Sequence, residues 1–380
     1  MALTTLKVMT IVGTRPELIR LSRVIAALDQ SCDHVLVHTG QNHDPQLSEV
    51  FFADLGIRPP NYSLSSDATT LGRFLGSLFT SVEEIIAEEQ PDALLVLGDT
   101  NSALAAIIAS RAGVVVFHME AGNRSFDINV PEETNRRIVD HFADINLVYT
   151  EHARRNLMTE GLHPRSVYLT GSPLYEVLEH ARDKIAASTT VDDLGLTRGD
   201  YFVLSMHRQE NVDEPARLDA LLEQVADVGA VHGVPVLVSA HPRLRKQLDR
   251  GGTEHTGLIM HPPFSFTDYV ALQMAARCVI SDSGTISEEA AILGFPAVTI
   301  RDSIERPEAM DGGSIVLAGI APNALRNSVA LAIANHTARG APPPPPEYAI
   351  ANCSERVVNL IVGLAPLTKV WNGRRDLPPR

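Results

Sequence analysis

The chain has 380 residues, too many for one ordinary core, and fits two domains of roughly 170–190 residues each. Apolar residues make up 44% and charged residues 21%, which excludes a disordered or fibrous chain and indicates a soluble globular one. The formal net charge of −14 argues against nucleic acid or an anionic membrane as a partner, so a phosphate ligand would need its own cluster of Arg and His.

Short β-branched and aliphatic runs alternate with helical patterns along the chain, the signature of βαβ units and a parallel sheet. Met1–Val12 lacks the basic start, long apolar stretch and cleavage site of a signal peptide. The first strands are predicted at Lys7–Val12, His34–Thr39, Ala93–Leu97, Val114–His118 and Ile145–Tyr149, with a short one at Val167–Thr170. Helix-type spacing falls between them at Pro16–Leu28, Leu71–Glu89 and Ser102–Ala112. A second set of strands follows at Phe202–Met206, Pro235–Ala240, Gly257–Met260, Cys278–Ser281 and Ala297–Ile300. The economical fold class is α/β, with two Rossmann-like doubly wound parallel-sheet domains in series. The boundary is placed at Gly171-Ser172-Pro173, giving domains 1–172 and 173–350. Ala341–Pro346, with five consecutive prolines, can be neither helix nor central strand and reads as a surface loop. A last helix, Ser354–Leu364, lies within a third segment, 351–380, expected to pack back on the first domain before a poorly ordered tail from Trp371.

No apolar run approaches the ~18 residues of a membrane span. Cys32, Cys278 and Cys353 have no paired spacing for zinc or a disulfide framework, which points to a reduced cytoplasm. In that compartment the Asn-x-Ser/Thr triplets at Asn61 and Asn123 carry little weight.

Acid and base residues stand at the ends of the predicted strands, where open parallel sheets bind ligands. Gly13-Thr14-Arg15-Pro16-Glu17 joins a strand to a helix. It is either an anion seat, with Arg15 beside free N–H groups, or an ordinary turn with a surface Arg. Neither a P-loop nor a Gly-x-Gly-x-x-Gly fingerprint occurs. Asp99 follows Ala93–Leu97 and is a helix cap or a site residue. Glu120 sits in a Gly-containing turn after Val114–His118, and Glu132 follows in Pro131-Glu132-Glu133. Carboxylates gathered in one crevice raise each other's pKa, which suits one to donate and another to accept a proton. His207, after Phe202–Met206, suits phosphate contact or proton transfer, against the commoner structural role of an isolated His. His241-Pro242-Arg243 repeats that pattern one strand later. Ser281-Asp282-Ser283-Gly284-Thr285 opens a helix on which a diphosphate could sit, with Glu289 placed for ribose hydroxyls. A capping box would explain the Ser but not the doubled Glu288-Glu289. Arg301 and Glu305-Arg306-Pro307-Glu308 are either an anion contact or a solvated charge run.

Taken together, these stretches resemble the non-hydrolysing UDP-N-acetylglucosamine 2-epimerase family. The resemblance runs over residues 6–320 in the right order and adds His38-Thr39-Gly40-Gln41, Pro131–Arg136 and His207–Asn211. It implies two Rossmann-like domains with the active site in a central cleft, as in two-domain (GT-B-like) glycosyltransferases. It also implies a cytoplasmic homodimer that needs no metal or nicotinamide and takes a UDP-sugar. The family's reaction eliminates UDP across C1–C2 to a 2-acetamidoglycal and adds it back. The resemblance makes Asp99, Glu120 and Glu132 the acid–base set. Arg15, Arg136 and His207 then meet the diphosphate or its departure, Ser283 and Gly284 hold phosphate, and Glu289 holds ribose. His207 counts with the catalytic set. Arg20, His241, Thr285 and Arg306 complete the substrate contacts.

The chain departs from well-known members in several places. A Lys is usual where Arg20 stands, and Ser-Gly-Gly where Ser283-Gly284-Thr285 stands. Ile19–Val24, Gly122-Asn123-Arg124 and Ser283–Glu289 resemble more closely the subgroup that converts UDP-2-acetamido-2,6-dideoxy-L-talose to UDP-N-acetyl-L-fucosamine for surface polysaccharide. The alternatives are UDP-N-acetylglucosamine/UDP-N-acetylmannosamine interconversion and, behind it, a UDP-sugar glycosyltransferase, which shares the two-domain cleft but needs no three-carboxylate cluster. His43-Asp44-Pro45 differs from the activator-binding part of regulated members, which argues against allosteric control.

Overall fold

Unbroken runs of Val, Ile, Leu and Met become strands buried on both faces, because helices cover both sides of a parallel sheet. The computed structural model describes residues 6–41, 49–67, 69–240, 242–251, 256–319, 321 and 323–373. Its chain divides into two compact units, Met1–Leu178 with Ala349–Arg380, and Glu179–Tyr348. The division falls inside the helix Leu174–Ala186.

In the first unit the strands are β1 (Lys7–Val12), β2 (Asp33–His38), β3 (Tyr62–Ser63), β4 (Ala93–Leu97), β5 (Val115–Met119), β6 (Ile145–Val148) and β7 (Val167–Leu169). They form one parallel sheet in the order β3-β2-β1-β4-β5-β6-β7. Alternate side chains feed opposite cores, as the pleat requires. Val8 and Val12 of β1 and Leu95 of β4 join Leu18, Leu21 and Ile25 of the helix Arg15–Ser31. Met9, Ile11, Leu94 and Val96 face Phe74, Leu78 and Val82 of the helix Leu71–Glu89. The C-terminal helix, Cys353–Trp371, adds Val357, Ile361 and Ala365 to the first of these cores. It runs seven residues past the predicted end and carries Pro366 inside it. Proline there would ordinarily stop a helix, but Ala365 and Thr368 on either side are buried.

The second unit holds β8 (Phe202–Met206), β9 (Val236–Ala240), β10 (Leu258–His261), β11 (Cys278–Ser281), β12 (Ala297–Thr299) and β13 (Val316–Leu317). Their order is β10-β9-β8-β11-β12-β13, again parallel. Both sheets thus have the doubly wound order 3-2-1-4-5-6, which the first extends by a seventh strand, β7. Its switch points lie between β1 and β4 and between β8 and β11, where such folds bind ligands. The predicted helix Ser102–Ala112 is instead a 3-10 turn, Asn101–Ala105, leading into an α-helix, Ala106–Arg111. Among the described residues no helix is long and apolar enough to cross a membrane.

Candidate functional site

At the first switch point three loops are tied together behind β1, β2 and β4. Gly13 leaves β1 where a Cβ would overlap Ser102 Oγ and lie 2.6 Å from Thr39 Oγ1, so only glycine fits. Thr39 and Ser102 share a hydrogen bond of 2.7 Å, and Gln41 Oε1 accepts from the Ser102 N–H at 2.9 Å and Oγ at 2.8 Å. Glu17 is the hub of the turn. It is 2% exposed and accepts from Gly13 N–H at 2.9 Å, Thr14 Oγ1 at 2.8 Å and Thr100 Oγ1 at 3.1 Å. Burial pushes its carboxyl up to about 7, against the pull of those donors. In the Gly13–Glu17 motif the sequence points to Arg15; for Glu17 its only signal is a carboxylate in the first helical turn. Arg15 itself is half-buried, its guanidinium 5.2 Å from the centre of the Phe51 ring.

Asp99 and Glu120 each face a guanidinium. Arg136 donates to Asp99 and, at 2.8 Å, to Glu133 Oε2. Arg20 Nη1 donates to Glu120 Oε2 at 2.6 Å, and the Arg20 guanidinium lies 5.9 Å from the Tyr149 ring centre. Asp99 and Glu120 therefore each stand in an Arg–carboxylate pair. Glu120 has φ +64, a left-handed conformation that costs a non-glycine residue of order 1–3 kcal/mol.

What holds Glu120 there is a polar chain buried beneath it. His118 Nε2 bonds the Gly98 carbonyl at 2.8 Å, and its Nδ1 lies 2.9 Å from Asp140. Both Asp140 oxygens accept the Gly122 N–H, at 3.2 Å each. Arg124 adds a 2.7 Å bond to Asp140 and a bidentate pair with Glu160 at 2.8 and 2.6 Å. Burial would raise Asp140, yet His118 and Arg124 hold its carboxyl below the ordinary range. One chain of bonds thus fixes both Gly98, just before Asp99, and Gly122, two residues after Glu120.

The Pro131-Glu132-Glu133 pair divides its labour. Glu133 is buried and accepts from Ser125 N–H, Ser125 Oγ, Arg136 and Arg137. Burial pushes its carboxyl up, but those donors hold it below the usual range. Glu132 is half-buried on the first turn and forms no ion pair among the described residues. The structure brings Arg136 to Asp99 and Arg20 to Glu120, and joins Glu132 to neither pair.

At the second switch point Asp282 plays the organising part. It is fully buried and accepts from the N–H groups of His207 and Arg208, each at 3.0 Å, and from Asn211 Nδ2 at 3.1 Å. His207 Nδ1 lies 3.1 Å from it. Burial pushes its carboxyl up, and the bonds from His207, Arg208 and Asn211 more than reverse this, holding it below the ordinary range. Sequence spacing gives Asp282 no role, since its partners lie about 75 residues away and across a strand pair.

Gly284 is enclosed by guanidinium groups. A Cβ there would lie 2.8 Å from Arg306 Nη1, 3.8 Å from Arg301 Nη1 and 3.9 Å from Arg208 Nη2. Arg306 donates to the Gly284 carbonyl and pairs with Glu288 at 3.2 Å. Arg301 is bidentate to Glu305 at 2.5 and 2.7 Å, and Arg208 lies 3.4 Å from the same carboxylate. Three guanidinium groups meet at this turn, at the start of the helix Ile286–Leu293, an arrangement suited to a phosphate. Ser283 Oγ and Thr285 Oγ1 share a 2.9 Å bond on the same turn. The doubled Glu now has a physical account: Glu288 pairs with Arg306, and Glu289 Oε2 accepts from Gln273 Nε2 at 2.7 Å. His241 and His43-Asp44-Pro45 lie outside the described residues. Among the described residues no group of three or more His, Cys, Asp and Glu could hold a metal ion.

Comparison with known proteins adds the following. Residues 26–362 match the UDP-N-acetylglucosamine 2-epimerase family. A UDP-2,3-diacetamido-2,3-dideoxy-D-glucuronate 2-epimerase of Pseudomonas aeruginosa is 36% identical over 320 residues, covering 83% of this chain and 89% of its own. The solved UDP-N-acetylglucosamine 2-epimerase of Rickettsia bellii is 41% identical, with a TM-score of 0.88 over 97% of this chain and 100% of that one. The Methanocaldococcus jannaschii UDP-GlcNAc 2-epimerase, solved in complex with UDP-GlcNAc and UDP, is 31% identical, with a TM-score of 0.87 over 94% and 100%.

Proposed function

Because the chain belongs to the UDP-N-acetylglucosamine 2-epimerase family, a family of isomerases, we propose that it inverts C2 of a UDP-2-acetamido sugar by eliminating and re-adding UDP. The C2 proton has no adjacent carbonyl and is not acidic, so direct exchange is closed. Instead a base takes that proton as the C1–O bond to UDP breaks, giving a 2-acetamidoglycal and free UDP. Protonation of C2 on the opposite face and return of a UDP oxygen to C1 then give the epimer.

In this reading Asp99, Glu120 and Glu132 move the protons. Arg15, Arg136 and His207 meet the departing diphosphate, Ser283, Gly284, Thr285 and Arg306 seat it, and Glu289 takes the ribose. The observation that carries the reading is the convergence of Arg208, Arg301 and Arg306 on Gly284. A departing diphosphate needs its growing charge met by preplaced donors, and no bulk positive charge supplies them in a chain of net −14.

The sugar we propose is UDP-2-acetamido-2,6-dideoxy-L-talose, giving UDP-N-acetyl-L-fucosamine for a surface polysaccharide. The same reading includes a cytoplasmic homodimer. Support for this sugar comes from Ile19–Val24, Gly122-Asn123-Arg124 and Ser283–Glu289. UDP-N-acetylglucosamine/UDP-N-acetylmannosamine interconversion is the second reading, favoured by the relative solved with UDP-GlcNAc and UDP. A third sugar is named for the Pseudomonas relative, so family membership alone leaves the sugar open.

Proton NMR in D2O tests both, with each UDP-sugar in its own tube. A new anomeric signal with deuterium at C2 is expected with the 6-deoxy-L-talo substrate. Reaction of UDP-N-acetylglucosamine alone would transfer the assignment to the second reading, and no C2 exchange in either tube over hours would overturn the chemistry.

A further inference from the structure

Gln273 stands on the helix Phe266–Ala275 and is fully buried. Its Nε2 donates to Glu289 Oε2 at 2.7 Å, while its Oε1 is buried with no hydrogen-bond partner. Leaving a buried acceptor unsatisfied is unfavourable, and the opposite amide orientation would set that oxygen against the Glu289 carboxylate. The orientation is therefore dictated by Glu289. The neighbouring carboxylate, Glu288, is committed to Arg306 at 3.2 Å, so the two acidic residues of one helical turn have different partners.

An amide differs from a guanidinium in a way that matters to a ligand. It fixes one carboxylate oxygen without adding a compensating positive charge, so the carboxylate keeps its strength as an acceptor. Burial, and after it the nearby Glu289 carboxylate, push the hydroxyl of Tyr269, one helical turn before Gln273, above the ordinary tyrosine range. A pinned carboxylate has defined acceptor positions, whereas an unpinned one can rotate to whichever hydroxyl is offered.

We propose that Gln273 is a positioning residue that orients Glu289 toward a cis-diol and so makes the nucleotide site select ribose over 2′-deoxyribose. This rests on the reading of Glu289 as the ribose contact given above. The effect belongs to selectivity rather than to affinity as such. A carboxylate held for two hydroxyl donors loses one bond with a 2′-deoxy ligand, and rotation cannot recover it.

Calorimetric titration of the full chain with UDP and with 2′-deoxy-UDP measures this directly. Wild type is expected to prefer UDP by about tenfold or more, the value of one good hydrogen bond. Gln273→Met keeps the volume and removes the donor. It is expected to narrow the preference to within about threefold, while 2′-deoxy-UDP affinity moves by less than about twofold. Equal losses for both nucleotides, or an unchanged ratio, would overturn the proposal by reducing Gln273 to a packing role. Should Gln273→Met fail to fold, Gln273→Asn, which shortens the arm and retains the amide, is judged by the same ratio. If wild type binds neither nucleotide, the nucleotide-site reading itself fails. If it binds UDP selectively and the variants keep that selectivity, only the role of Gln273 is lost.

Discussion

Glu120 combines three properties rarely found in one structural residue. It adopts a left-handed backbone, its carboxylate is paired with Arg20 at 2.6 Å, and a buried chain through His118 and Asp140 fixes the turn around it. Arg20 stays charged and is a poor proton donor, so its role here is to hold the carboxylate. Glu120→Gln preserves shape and removes the basic group. Turnover should fall by at least about 10²–10⁴-fold, the usual worth of a positioned acid or base, with UDP affinity by calorimetry changed only a fewfold. Retained turnover with weakened UDP binding would remove Glu120 from proton transfer. Glu120 and Asp99 were legible because each directly follows an apolar strand. Glu17 and Asp282 are not legible, because their importance lies in donors brought from other loops, and sequence spacing carries no record of those. Glu133 illustrates the same limit. Nothing in Pro131-Glu132-Glu133 says which carboxylate turns inward, and the structure buries Glu133 among Ser125, Arg136 and Arg137.

Among the elements, β8 and β11 are neighbours in register, and Asp282 joins the turns that leave them. Its carboxylate receives the His207 and Arg208 N–H groups and the Asn211 amide. Asp282→Asn would replace one accepting oxygen by an NH2 facing those donors. Unfolding in urea should show a loss of about 2–4 kcal/mol, from weakened charge-assisted bonds and a buried mismatch. UDP affinity should fall as well, because Arg208 comes from the turn that Asp282 holds. A stability change under about 0.5 kcal/mol, the size of an ordinary surface substitution, would show that the turn keeps its shape without Asp282. The strands themselves were highly legible as apolar runs: Lys7–Val12, Ala93–Leu97, Phe202–Met206 and Cys278–Ser281 have the predicted bounds, and Val115–Met119 is offset by one residue. The strands not foreseen, Tyr62–Ser63 and Val316–Leu317, are two-residue edges. Their pairing is imposed by β2 and β12, and two residues are too few to show a period.

For the molecule as a whole, the buried carboxylates at the two switch points respond to pH in opposite senses. Asp140 and Asp282 are held low, so what they contribute is present at neutral pH and lost only in strong acid. Glu17 is raised from 4.5 to about 7. The folded state therefore binds more protons than the unfolded one between those values, and stability falls as pH rises through that window. The shift corresponds to about 3 kcal/mol, fully felt above pH 7 and absent below about 4.5. His38, whose imidazole burial pushes down, acts the other way, so the contribution of Glu17 is best isolated by difference. Glu17→Gln keeps an acceptor for the Gly13 N–H and cannot ionise. The chain has a single tryptophan, Trp371, which ends the C-terminal helix of the same unit with the Arg165 guanidinium 4.7 Å from its ring centre. Urea unfolding followed by its fluorescence at pH 5 and pH 8 therefore reports on the unit that holds Glu17. The variant should gain on wild type by about 2–3 kcal/mol on going from pH 5 to pH 8. Parallel pH profiles for the two proteins would mean that Glu17 ionises at its ordinary value, with the hydrogen bonds from Gly13, Thr14 and Thr100 outweighing its burial.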